Sequence, residues 1–418
     1  MNDWKRILTI LFIAQLLSAI GFSMIFPFLP NYVGSLGSAW GLDLVFLAGA
    51  VFSAQAITMM LASPVWGAVA DRVGRKPMVQ RALFGGAAVI LAMAFVRNAE
   101  QLVALRALQG VVSGIVSANS ALVASVAPRE RSGFALGALQ TAMTSGVAAG
   151  PILGGILADT VGYRAAFVIT AGLLLAGGIL VQFGVRESFT PPKNARRLSG
   201  MTRDWAHVLR TPHVVRTFAA RFAAWLGRGV MVPILPLFIP ILLASAGRTA
   251  TFTGMVIGIA AATSTISAIY LGSLGDRVGH RTVLLVSSAM AAACYLPMAF
   301  VQNGVQLLLL NGLAGIAIGG VMPALSALLN VGTAQSEVGS AFGLDNAVVA
   351  ASRAVAPLVG VGLVSLLGGG ELGYRAVFLS ASALFCVTIV IASGLGPGRP
   401  TARETRLGEA VHGAGAGD

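Results

Sequence analysis

The chain has 418 residues, of which 56% are hydrophobic and only 10% charged, with a mean hydropathy of +0.84. Soluble domains carry about 25% charged residues, so a soluble globular protein is excluded, because the polar residues are too few to cover the apolar mass. The net charge of +13 would suggest nucleic acid in a soluble protein, but most of the 28 Lys and Arg fall in segments expected on the cytoplasmic side of a membrane. That bias accounts for the basicity, and no nucleic-acid partner is expected.

Apolar runs long enough to cross a hydrocarbon core of about 30 Å as helices are expected at 7–28, 43–66, 77–97, 101–126, 132–158 and 164–185. After a polar stretch, six more are expected at 216–243, 249–271, 282–301, 305–331, 340–367 and 374–394. The first follows Lys5 and Arg6 and ends in Pro27-Phe28-Leu29-Pro30. It is too long for the core of a signal peptide and reads as a retained membrane helix. The segment from Glu187 to Val215 carries Pro191, Pro192, Arg196 and Arg197 and reads as a cytoplasmic linker. The tail from Gly394, rich in Gly, Ala and Arg, reads as disordered. Cys294 and Cys386 lie in apolar runs and read as small core residues. The expected fold is all-α and integral to the membrane: a six-helix bundle over 1–186, a linker over 187–215, a second bundle over 216–395 and a tail over 396–418. An even count places both termini on one side, expected to be the cytoplasm.

The halves repeat. Gly21, Pro27 and Pro30 recur as Gly227, Pro233 and Pro236. Gly67, Asp71, Arg72 and Gly74 recur as Gly272, Asp276, Arg277 and Gly279, and Gly137, Pro151 and Gly154 as Gly343, Pro357 and Gly360. Gly162-Tyr163-Arg164-Ala165 returns as Gly373-Tyr374-Arg375-Ala376. Two parallel repeats are a transporter plan, with the substrate site between them near the midplane.

The segment after the second apolar run reads Gly67-Ala-Val-Ala-Asp71-Arg72-Val-Gly74-Arg75-Lys76. It resembles the signature loop of the major facilitator superfamily, with Val69 in place of the usual Leu. The resemblance implies twelve helices and a conformational latch in which Asp71 meets the start of the eleventh helix. Its residues are Gly67, Asp71, Arg72, Gly74 and Arg75, with Asp276, Arg277 and Gly279 in the second copy. A carboxylate stabilises a helix N-terminus, and protonation weakens such a latch. In the fifth run, Gly146, Gly150 and Gly154 stand at four-residue steps beside Pro151 and Gly155. A small-residue stripe permits close helix approach and the proline bends the helix. The pattern resembles the motif of the family's exporters, chiefly the twelve-helix drug:proton antiporters. Arg106-x-x-Gln109-Gly110 resembles a motif whose arginine is implicated in proton transfer; a structural arginine bonded to neighbouring carbonyls is the alternative. An unpaired arginine in hydrocarbon costs at least about 2.5 kcal/mol, so either role needs partners.

One departure matters. Many such pumps carry an acid within the first, seventh or tenth helix, and this chain has none there. Its deepest acid is Asp345, a proton carrier or the partner of a cationic group. Arg228 and Arg353 reach similar depths, as contacts for a substrate anion or as counter-ions. Phe22, Phe26, Gln140, Met143 and Asn346 complete the substrate-binding candidates, each weighed against ordinary packing. A Met and Phe lining suits promiscuous amphiphile binding.

The expectation is a secondary transporter of the cell membrane, working as a monomer in the lipid bilayer. It would export amphiphilic drugs by proton antiport with alternating access, and so contribute to antibiotic resistance. Export or flipping of an anionic metabolite, siderophore or lipid-linked substrate is the first alternative, and a transport-dead sensor the second. No catalytic residue, cofactor or metal site is expected, since the four His (His207, His213, His280, His412) lie in loops or the tail.

Overall fold

Twelve helical crossings make up the described part of the chain, each ending where the sequence supplies a breaker. The computed structural model describes residues 3–187, 209–243, 246–334 and 337–396, and among them there is no strand. The first crossing is Asp3–Met24 continued by Leu29–Leu36, and the second is Leu44–Val73. The third joins Lys76–Gln80, a π-helical turn Arg81–Gly85 and Gly86–Met93. The fourth is Ala99–Val112 continued by Ile115–Val126, the fifth Ser132–Val161 and the sixth Tyr163–Gly184. The second half follows with Pro212–Gly229 continued by Ile234–Leu242, then Thr249–Val278 and His280–Met298. Gly304–Val331, Val338–Leu366 and Gly370–Ser393 complete it. Among the described residues eleven of these are long and apolar enough to cross a membrane as they stand, and the π turn divides the third.

The breaks follow from local chemistry. Pro27 and Pro30 interrupt the first helix, and Pro233 and Pro236 the seventh at the matching place, because proline lacks the amide donor and crowds the preceding turn. The fourth helix breaks at Ser113-Gly114, where Gly114 takes φ +120°. The freed Ser113 carbonyl accepts a 2.7 Å hydrogen bond from Arg81 Nη2. The Arg81 guanidinium lies 3.7 Å from the Trp66 ring centre, and Trp66 Nε1 donates to the Val111 carbonyl at 2.7 Å.

Two expectations about element ends are corrected. The family signature is not a loop: the second helix runs through Asp71 and Arg72 to Val73, and the eighth likewise to Val278. Apolarity fades at the membrane interface, but helical hydrogen bonding continues until Gly74 and Gly279, at φ +98° and +95°, supply the left-handed turn that glycine adopts most readily. The seventh helix starts at Pro212, inside the segment expected to be linker. Most of that linker, and the tail from 397, lie outside the described residues.

The even number of crossings puts Asp3, Glu187, Pro212 and Ser393 on one face, where hydrogen bonds tie the helix ends together. Glu187 accepts from the Arg75 and Lys76 amides at 2.9 and 2.7 Å, and Arg216 donates to the Gly394 carbonyl at 2.7 Å. This is called the terminal face below. Each half has its own apolar core and its own aromatic knot. Phe28, Tyr32, Tyr163 and Phe167 pack in the first half, and Phe238, Tyr374 and Phe378 in the second.

The halves meet along two seams, the second helix against the eleventh and the fifth against the eighth. Both seams close on the face opposite the termini. A methyl group at Gly254 would run into the Pro151 carbonyl, and one at Gly258 would sit 2.7 Å from the Ala148 carbonyl oxygen. In the matching seam a methyl at Gly49 would lie 3.0 Å from the Pro357 carbonyl oxygen and 2.6 Å from the Val361 side chain. Polar contacts sit at the outer ends. Asp159, ending the fifth helix, accepts from the Ala250 and Thr251 amides at 3.2 and 2.7 Å, capping the first turn of the eighth helix from the other half. Ser365 donates to Asp43 at 3.0 Å across the second seam. Toward the terminal face no glycine of the second, fifth or eleventh helix makes such a contact with the other half: Gly67, Gly133, Gly137, Gly339 and Gly343 have no neighbouring atom within 4 Å of where a Cβ would stand. The result is a wedge, shut on one face and open on the other.

Gly254→Leu should prevent the fifth and eighth helices from closing. Overpacking of about 1–3 kcal/mol corresponds to a shift of roughly 5- to 150-fold in a two-state equilibrium. Spin labels at Leu42 and Leu367 should then report a longer distance across the shut face. An unchanged distance distribution would show that the seam does not control closure. Asp159→Ala removes a cap of about 0.5–2 kcal/mol and should move the same distance in the same direction by a smaller population.

Candidate functional site

In the first half, the wall of the wedge holds a recess of about 460 Å³ lined by Gln15, Val116, Ser120, Leu136, Gly137, Leu139, Gln140 and Met143. Gln15 and Asn119 are buried, and Asn119 Nδ2 donates to Gln15 Oε1 at 2.7 Å. This lining is neutral, and it contains the expected Gln140 and Met143. The two phenylalanines point elsewhere. Phe22 packs toward Gly86 of the third helix, and Phe26 lies 5.8 Å from Phe52 of the second.

The second half presents charge. Asp345 is 4% exposed, and its Oδ1 lies 2.8 Å from Arg221 Nε of the seventh helix. Neither atom has an aligned hydrogen bond, so this is a charge contact rather than a directional bond. Arg221 Nη2 donates to Ser326 Oγ of the tenth helix at 2.8 Å. Further along the seventh helix, Trp225 is flanked by the Arg228 and Arg353 guanidiniums at 5.6 and 6.0 Å from its ring centre, within cation–π range. Arg353 is exposed, Arg228 partly so, and Trp225 Nε1 is buried without a partner. Asn346 is exposed.

Arg106 is 1% exposed and acts as a strut through two of its three nitrogens, its Nη2 being buried without a hydrogen-bond partner. Its Nε donates to the Val51 carbonyl at 2.9 Å, its Nη1 to Gln109 Oε1 at 2.6 Å, and the guanidinium lies 5.7 Å from the Phe52 ring centre. Asn311 Nδ2 reaches the Val256 carbonyl at the equivalent place in the second half, at 3.4 Å. Three motif glycines of the fifth helix, Gly146, Gly150 and Gly154, face the first helix and not the wedge. Gly146 meets Ala19 and Ile20, Gly150 meets Ser23 and Ile20, and Gly154 meets the Met24 backbone. Ser23 Oγ seals the contact by donating to the Gly146 carbonyl at 3.0 Å. Gly155 turns the other way, to Ala250 of the eighth helix.

At the signature, the expected latch residue Asp71 has a side chain outside the described set. Arg72 is exposed, Gly74 makes the turn, and the Arg75 amide is held by Glu187. In the second copy Asp276 lies 3.4 Å from His280, Arg277 is exposed and Gly279 makes the turn. Cys294 is buried as expected, whereas Cys386 is exposed on the outer surface of the twelfth helix, a correction that an apolar run alone does not reveal. Among the described residues no group of three or more His, Cys, Asp or Glu could hold a metal ion.

Sequence reasoning missed three residues of this site: Arg221, Trp225 and Asp159. Arg221 had a signal, since it stands 206 residues after Gln15, at the offset of the repeat. Trp225 and Asp159 had none, since each gains its meaning from a neighbour on another helix.

The profile of the Major Facilitator Superfamily matches residues 11–242 and 217–415. Multidrug resistance protein MdtG of Salmonella paratyphi A is 36% identical over 377 residues, 90% of this chain and 92% of that protein. The protein of that name from Yersinia enterocolitica is 35% identical over 390 residues, 93% of this chain and 91% of its own length. Among solved structures, the nucleoside transporter NupG superposes with a TM-score of 0.74 at 14% identity, covering 94% of this chain and 98% of that one. The human organic anion transporter MFSD10 gives 0.65 at 19%, covering 94% and 100%. The structural likenesses establish the fold. Together with the profile, the two-half plan and the signature at Gly67 to Lys76, they lead to one conclusion: this chain is a multi-pass membrane protein that belongs to the major facilitator superfamily of transporters.

Proposed function

We propose that the protein is a secondary active exporter of amphiphilic drugs, driven by proton antiport and working by alternating access in the cytoplasmic membrane. Both termini lie in the cytoplasm in this reading, so the wedge opens inward and the seams at Pro151 and Pro357 shut the outer side. The observation that carries the reading is the likeness, along nine-tenths of the chain, to proteins named for multidrug resistance. The neutral recess with Met143 and Gln140 supports it, since apolar lining with few polar groups suits varied amphiphiles. The two halves would rock about their seams, a monomer sufficing. Asp345 is the acid placed to carry the coupling proton. In its opened state the outer side would part where Gly49 and Gly254 now touch the other half.

Everted vesicles holding the protein should concentrate dyes or antibiotics when an inward-acid gradient is imposed, and should lose them when it collapses. No gradient-dependent movement across a broad panel would sink the proposal.

A second reading is favoured by one observation, the Arg228–Trp225–Arg353 corner, where two guanidiniums flank one indole ring and no carboxylate among the described residues pairs with either. Such a corner suits an anionic group on the substrate. Arg228→Gln with Arg353→Gln separates the readings. Loss of charge-assisted hydrogen bonds of about 1.5–3 kcal/mol each should cut anion transport more than tenfold, while cationic dye efflux survives or improves. Equal loss of both would count against an anion site.

A further inference from the structure

We infer that Arg221 and Asp345 form the proton switch of this transporter, Arg221 being the positioning residue that holds and releases the carboxylate. The inference rests on the proton-antiport reading above and gives it a mechanism.

The first argument is the repeat. Arg221 occupies the place of Gln15, and Asp345 that of Leu139. In the first half, Gln15 clasps Asn119 of the fourth helix at 2.7 Å, and in the second, Arg221 clasps Ser326 of the tenth at 2.8 Å. Both clasps tie the first helix of a half to the fourth of that half. The neutral version does this without any ion, so packing does not require the carboxylate. A buried ion pair costs desolvation that its attraction offsets only with good geometry, and apolar replacements are often as stable or more so. Here the geometry is poor for a structural pair. The two atoms are 2.8 Å apart with side chains 7% and 6% exposed, yet neither makes an aligned hydrogen bond. Charge holds the pair. Protonating the carboxylate removes that charge and leaves little else to keep the two side chains together.

The second argument is placement. Val214, Phe218, Leu329 and Ala341 form an apolar cluster at the terminal-face ends of the seventh, tenth and eleventh helices. All four lie closer to that face along their helices than Arg221 and Asp345 do, so they shield the pair from the open side. Apart from Arg221, the charges on the elements packed on the eleventh helix, and Glu337 and Arg353 on that helix itself, lie about two turns or more along the sequence from the pair or near the helix ends. The tenth helix carries Ser326 there, while the second and twelfth hold their charges near their ends, at Asp43, Asp71 and Arg72, and at Glu371 and Arg375. On its own side the seventh helix adds His213, bonded to Leu328, and Arg216, bonded to Gly394, both nearer the terminal face, and Arg228 two turns deeper. Asp345 also shares one continuous helix with Pro357, whose carbonyl forms the Gly49 seam. Twelve residues, about 18 Å along the axis, link the proton site to the outer closure.

The third argument concerns the sign of coupling. Arg228 and Arg353 lie about two turns from the pair. A cation entering this region is favoured by the ionised carboxylate and competes with the proton, which is the linkage antiport needs. An anion at the Arg228–Trp225–Arg353 corner promotes protonation instead, which is the linkage of co-transport. Linkage is reciprocal, so proton counting reads the sign.

The test uses the purified full-length chain in lightly buffered detergent with a pH indicator. Tetraphenylphosphonium serves as the cationic probe and anilinonaphthalene sulfonate as the anionic one. Wild type should release up to about half a proton per bound cation at the midpoint of the carboxylate titration and approach about one below it, and should take up protons with the anion. Asp345→Glu should keep the release, and so should Arg221→Lys, because the pair is held by charge rather than direction. Asp345→Asn should abolish it. So should the double variant R221Q/D345N, which restores a neutral clasp like that of Gln15 and guards against misfolding. If this double variant elutes as a single species and releases protons as wild type does, the pair is structural and the inference is overturned. Gradient-driven efflux in vesicles separates the two failures. When wild type and the double variant both couple efflux to the gradient, only the inference falls. When wild type neither releases protons nor couples efflux, the antiport reading falls with it.

Discussion

Backbone contact between helices of opposite halves is the constraint on which the rest of this molecule depends. In hydrocarbon no hydrophobic drive brings helices together, so close approach of small residues and a few polar bonds must do so. Gly254 against the Pro151 carbonyl and Gly49 against the Pro357 carbonyl are two copies of one solution, generated by the internal repeat. Because both are nonpolar surfaces in contact, without a dense ion-pair network, opening them strands few charges. That suits the proposed alternating access, in which the closure would be made and broken in each cycle. The two capping contacts at its rim, Asp159 on the eighth helix and Ser365 on Asp43, add directional bonds where water can replace them when the seam parts.

The glycine motif of the fifth helix gains a sharper meaning from the same geometry. Three of its glycines bind the first helix within one half, and only Gly155 faces the other half. The stripe fixes the fifth helix rigidly to its own bundle, so that Pro151 and Ala148 present their carbonyls to the eighth helix at a set position. In the proposed cycle, within-half rigidity and between-half mobility would follow from which side of the helix carries which glycine. The strut at Arg106 acts in the same sense, tying the fourth helix to the second through Val51.

Much of this was legible in the sequence, and the reasons are physical. Helix number followed from apolar length, the repeat from matched Gly and Pro positions, and breaks in the first and seventh helices from proline pairs. The π turn at Arg81–Gly85 and the break at Ser113-Gly114 were not, since they depend on Arg81 reaching a carbonyl of another helix. Helix ends at Gly74 and Gly279 ran past the apolar runs because hydrophobicity reports the lipid boundary and not the hydrogen-bonding boundary. In the site, Gln140 and Met143 stand in the recess, but Phe22 turns into its own half. Single-residue burial on a membrane helix has no period that separates the lipid, the packing and the cavity sides when all three are apolar. The charged residues were easier, because their cost in hydrocarbon forces them inward, yet the pairing of Asp345 with Arg221 and not with Arg353 needed the seventh helix in place.

The lengths of the seam helices explain how small a change at the shut face opens the other. The fifth and eighth helices each run for 30 residues, about 45 Å at 1.5 Å per residue. Pivoting a rod of that length near its outer end by roughly 10° displaces the far end by about 8 Å, enough to separate Gly133 and Gly137 from any facing side chain. In the proposed alternating access no helix need unfold and no core need repack, because each half has its own apolar cluster. Asp345 lies on another seam helix, the eleventh, of 29 residues, two turns from its open end, while the contacts it would influence in the proposed switch lie at the other. In the proposed switch a charge change there would act through a stiff helix, so that a modest preference of the seventh helix for the ionised carboxylate would be expressed as a preference for one position of the whole wedge.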